Sequence, residues 1–68
     1  MRRPRKSIEA DVWREFDRIA CEKYDGRHWV IGHKSGVRAG FGAPVAQVAL
    51  YPSAVLAMRA AVEEERDA

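Results

Sequence analysis

The chain has 68 residues, a net charge of +2, 47 % hydrophobic residues and one cysteine. That length is a single domain near the lower limit for folding unaided, and the composition is too apolar for wholesale disorder. A lone Cys21 excludes an internal disulfide, and no spacing of Cys and His fits a zinc site.

The core has little to draw on. There are two Leu, seven Val and eleven Ala, and alanine buries little area. Hydrophobic gain and ordering entropy then nearly cancel, which makes a homodimer or folding on a partner a reasonable expectation. No run approaches the about 18 apolar residues of a membrane span. The basic start MRRPRKS leads into Ile8-Glu9-Ala10-Asp11 rather than an apolar stretch, so it does not read as a secretory signal. A cytoplasmic protein is expected, and nine Arg against three Lys suggests a GC-rich bacterial or phage genome.

The net charge conceals segregation along the chain. Arg2, Arg3, Arg5 and Lys6 form a basic start, and residues 1–6 read as a flexible arm ahead of a domain over 7–68. Between Gly26 and Val62 lie Arg27, Lys34, Arg38 and Arg59 and no carboxylate. All ten Asp and Glu fall outside that window.

In chain order, Ser7 is a plausible N-cap for a helix over 8–23. Glu9 and Asp11 would lie in its first turn, where the helix dipole favours them. Ile8, Val12, Phe16, Ile19 and Ala20 recur at helical spacing, flanked by Trp13 and Tyr24. Asp25-Gly26 ends it. The segment Arg27–His33 is β-branched and aromatic, and Val37–Phe41 resumes after Lys34-Ser35-Gly36, which predicts a hairpin. Val37, Ala39 and Phe41 should share one face, with Arg38 on the other. His28 is expected to be exposed and His33 half-buried.

Residues 43–51, APVAQVALY, fit a third strand or a short helix, with the valines favouring the strand. Ser53 then caps a helix from Ala54 to about Glu65. Glu63, Glu64 and Glu65 sit at its C-terminal end, where the dipole disfavours acids. Such carboxylates either face solvent or serve something outside the helix. The expected fold is α+β, in the order α-β-β-β-α, with two helices on one face of a short antiparallel sheet.

That order resembles double-stranded-RNA-binding domains, and its second half resembles the arm-binding domains of phage integrases in topology. The former carry a Lys-rich start to the second helix. Here that stretch is Ser53-Ala54-Val55-Leu56-Ala57-Met58, without lysine. Fold likeness alone does not license a function.

Two functions from different classes are compatible with these residues. The first is a nucleic-acid-binding accessory or regulatory protein, with Arg2, Arg3, Arg5, Lys6, Arg27, His28, Lys34 and Arg38 on phosphates. The second is a protein-interaction module, such as a phage-encoded modulator of a host protein. Trp13, Trp29, Glu15 and Glu22 would be its contact residues. No converging carboxylate pair or activated nucleophile points to an enzyme, and no cofactor is implied. Cys21 beside Ala20 reads as a small hydrophobe. Gly36, Gly40 and Gly42 read as backbone accommodation, since no Lys-Ser/Thr follows them as in a phosphate loop.

Overall fold

The computed structural model describes residues 5–46 and 49–67. Its elements are a helix α1 (Arg5–Lys23), strands β1 (His28–His33) and β2 (Gly36–Phe41), and a helix α2 (Ala54–Asp67). Two helices and a two-stranded antiparallel sheet make a small α+β domain.

Helix α1 begins earlier than its sequence suggests. Arg5 and Lys6 belong to the helix rather than to an arm, and Ser7 lies inside it rather than at its cap. Lys and Arg are good helix formers, and nothing in Arg5-Lys6-Ser7 halts a turn once it has formed. Arg2 and Arg3 lie outside the described residues. The apolar stripe does what its spacing implies: Phe16, Ile19 and Ala20 are buried, with Val12 partly so. Cys21, by contrast, is exposed.

The helix ends in a left-handed cap. Asp25 and Gly26 both take positive φ, at 58° and 81°. This lets the Gly26 N–H reach back to the Ala20 carbonyl at 2.9 Å. Glycine adopts such a φ without steric cost, and Asp is among the residues that tolerate it.

The hairpin forms where its residues place it, closed by the two-residue connection Lys34-Ser35, with Val30 opposite Ala39 and His33 opposite Gly36. Val30, Val37, Ala39 and Phe41 face the helices, as their alternation requires. His28 shares that phase and is half-buried, while His33 is exposed, the reverse of expectation. The reason is register: His28 pairs with Phe41, so its ring turns toward Phe16 and not to solvent.

A third strand is not formed among the described residues; residues 47 and 48 of segment 43–51 lie outside them. What remains of it is one bridge, Val37 to Tyr51, closed by hydrogen bonds of 2.7 and 2.8 Å. No short helix appears in the described part of that segment either. Gly42, with φ of 72°, turns the chain away from the strand line directly after β2. The carbonyls of Val45 and Ala46 are then held from the side by Arg38.

Ser53 is the cap its position implies, its Oγ accepting from the Leu56 N–H at 3.3 Å. Helix α2 lies against β2 and α1, burying Ala57, Met58, Ala61 and Val62. Phe16 and Met58 are the two large side chains with no exposed surface. They carry much of a core otherwise built from alanine and valine.

Candidate functional site

The cationic side chains near the hairpin do not converge. Arg27 and Lys34 are exposed, and they flank β1 at its two ends. Seven residues of extended chain separate them by roughly 23 Å, more than twice the screening length in physiological salt. Arg38 is engaged inside the protein. Its guanidinium carbon sits 5.7 Å from the centre of the Trp29 ring, and Nη1 donates to the carbonyls of Val45 (2.7 Å) and Ala46 (3.2 Å). His28 Nε2 lies 3.1 Å from Asp17 Oδ1, with its ring 4.8 Å from that of Phe16. Arg59, from the stretch without carboxylates, lines a groove of about 360 Å³ with Asp11, Glu15 and Glu63. Charges separated along the chain are thus interleaved in space.

The acids proposed as contacts are likewise occupied. Arg18 donates to both Glu15 and Glu22, and Arg66 Nη2 reaches Glu15 Oε1 at 3.2 Å. The hydrogen bond from Arg18 is the main cause holding the Glu15 carboxyl below its ordinary range. The Arg66–Glu15 contact ties α2 to α1. Trp13 is 43 % exposed, its ring edge-on to Phe16 and His28, while Trp29 is half-buried.

The larger concavity lies elsewhere, between β2 and α2, with a volume of about 810 Å³. Its apolar lining includes Ala39, Gly40 and Phe41 of β2 and Ala57, Ala60 and Ala61 of α2. Alanines at these helix positions keep the cleft open, because larger side chains would fill it. Trp29, Val45, Ala49 and Tyr51 contribute to its walls. The Trp29 ring also covers Gly40, where a Cβ would come within 2.5 Å of Cζ2. Its Nε1–H is buried and lacks an acceptor among the described residues.

Carboxylates of Glu63, Glu64, Glu65 and Asp67 complete the lining. Glu65 accepts a hydrogen bond from the Tyr24 hydroxyl, and that bond is the main cause raising the Tyr24 pKa. Glu63, Glu64 and Asp67 are exposed and have no ion-pair partner among the described residues. They stand at the end of α2 where the dipole opposes negative charge.

One edge of β2 opens toward this cleft. The Gly42 N–H donates to the Arg27 carbonyl at 2.9 Å, which fixes the phase of the antiparallel ladder. Gly40, Arg38 and Gly36 therefore bond to β1, and Val37, Ala39 and Phe41 direct their N–H and C=O groups away from it. Tyr51 satisfies Val37. Ala39 and Phe41 have no backbone partner on that side among the described residues.

Of the residues expected to touch phosphate, Arg27, His28, Lys34 and Arg38 lie outside this cleft, and of the four protein-contact candidates only Trp29 lines it. One sequence signal marks it: the acidic run at the wrong end of α2.

No protein-family model, curated protein or solved structure matches this chain. Among the described residues no helix is long and apolar enough to cross a membrane, and no cluster of His, Cys, Asp and Glu could hold a metal ion.

Proposed function

We propose that this protein is a non-enzymatic interaction module that takes a segment of a partner protein into the cleft between β2 and α2. The observation that carries this reading is the cleft itself: apolar side chains, a strand edge and carboxylates without partners among the described residues meet in one place. Exposed apolar side chains support it, with Val45 and Leu50 at 55 % and 41 % beside the same loop. The polar side chains of the lining are carboxylates and two tyrosines.

The second reading, nucleic-acid binding, is favoured by Arg27 and Lys34, which are exposed and lack ion-pair partners among the described residues. Their separation weakens it. Arg38 and His28 would also have to leave internal partners to reach phosphate.

Affinity capture from nuclease-treated lysate separates the two, using Ala60→Trp to fill the cleft and R27A/K34A to remove the exposed cations. The expected result is a defined protein that survives nuclease, is lost with Ala60→Trp and is retained by R27A/K34A. Both variants should keep the parental far-ultraviolet circular dichroism. Capture that disappears with nuclease or with R27A/K34A, and persists with Ala60→Trp, would transfer the function to the polyanion reading.

A further inference from the structure

The cleft also constrains the chemistry of its occupant. We infer that it binds an extended, arginine- or lysine-bearing peptide segment of another protein, which adds to β2 as a third strand beside Ala39 and Phe41. This deepens the interaction-module reading and rests on it.

The strand edge supplies the first part. Ala39 and Phe41 present two N–H donors and two C=O acceptors on the side away from β1, at the spacing an antiparallel strand uses. Edges of this kind are templates for strand addition unless they are covered, charged or bulged. Here the segment that would cover it joins β2, among the described residues, through Tyr51, and Gly42 diverts its start. An incoming strand would continue the line that Tyr51 begins.

Side-chain direction supplies the second part. Residues directly opposite one another in an antiparallel pair project to the same face. Ala39 and Phe41 face the helices, so guest residues opposite them would project toward α2. Near Ala39 they would meet Ala57, which is small and buried and favours a small or apolar guest side chain. Tyr24 stacks on Phe41 and bonds to Glu65, which places the acidic end of α2 at the Phe41 end of the strand. A cationic side chain there would meet Glu63, Glu64 and Asp67.

Charge complementarity supplies the third. Three carboxylates without partners among the described residues, held where their own helix disfavours them, are the counter-charge that a basic segment would neutralise. The same charges repel an acidic peptide or a nucleic acid from this face.

The test uses an acetylated, amidated hexapeptide of alternating arginine and valine, titrated into the full chain and followed by amide resonances. Two controls accompany it: the same peptide fully N-methylated, which cannot pair as a strand, and its glutamate–valine counterpart. The parent peptide is expected to shift Ala39 and Phe41 and to slow their hydrogen exchange. Neither control should do so. E63Q/E64Q/D67N should weaken binding by about tenfold with no loss of thermal stability, because those charges oppose their own helix dipole. Equal binding of the N-methylated peptide, indifference to the triple neutralisation, or shifts that avoid Ala39 and Phe41 would overturn the inference. Concentration-dependent self-association that protects the same two amides before any peptide is added would overturn it too, giving the edge to a second copy. If the peptide fails but capture still depends on an open cleft, this inference alone is lost. If both fail, the interaction-module reading falls with it.

Discussion

Phe16→Ala is expected to abolish cooperative unfolding at 25 °C, leaving a gradual baseline in urea where the parent shows a transition. Phe16 has no exposed surface, and its ring lies 4.7 Å from Phe41 and 4.8 Å from His28 between centroids. Its ring joins α1 to both strands of the hairpin and meets Trp13 edge-on. Truncating a buried Phe costs about 3–5 kcal/mol. Domains retain about 0.05–0.15 kcal/mol of stability per residue, so a chain this short holds a reserve of comparable size. With alanine and valine forming most of the remaining core, little can collapse into the space. Phe16→Leu should keep a transition at a lower midpoint. A midpoint for Phe16→Ala equal to that of the parent would mean that α1 does not anchor this fold.

Gly36→Ala is expected to lower the unfolding free energy by about 1–3 kcal/mol, while Gly32→Ala should leave it within about 0.5 kcal/mol. The two glycines face each other's neighbours across the hairpin, yet their surroundings differ. Gly36 has φ of 150°, and a Cβ there would come within 2.8 Å of the Tyr51 carbonyl oxygen and 3.2 Å of Leu50 Cβ. Backbone cannot move aside as a flexible side chain can. The bridge between Val37 and Tyr51 would open, releasing the loop that frames the cleft. At Gly32 an added Cβ meets nothing within 4 Å. Thermal melts of the pair check this directly, and equal losses at the two positions would show that the Tyr51 contact is unimportant.

Much of the architecture was legible in the residues. The stripe through Val12, Phe16 and Ile19, the alternation of Val37, Ala39 and Phe41, and the Ser53 cap each led to the element they imply. These are local patterns, in which neighbours within a few positions decide the outcome. The segment 43–51 was different. Its valines suit a strand, but among the described residues two features oppose that propensity: the positive φ of Gly42 redirects the chain, and Arg38 holds the carbonyls of Val45 and Ala46 beside Trp29. Propensity does not carry that information.

Charge misled for the same reason. The interval from Gly26 to Val62 contains no carboxylate, yet folding places Arg59 beside Asp11 and Glu15 from α1. His28 came to rest near Asp17 in a similar way. The cleft escaped notice because it joins β2 to residues some twenty positions later, across a loop whose path could not be read. Only the acidic C-terminal turn of α2, costly to its own helix, pointed outward from the sequence alone.

Strand addition to this protein requires the outer edge of β2 to be open in the free state, and amide hydrogen exchange reads this residue by residue. Ala39 and Phe41 should exchange much faster than Arg38 and Gly40, whose N–H groups bond to β1, and faster than Val37, which bonds to Tyr51. An alternating pattern along a single strand is the expected result. Protection of Ala39 and Phe41 as strong as that of Arg38 and Gly40 would show the edge already paired, and a partner would have no strand to join.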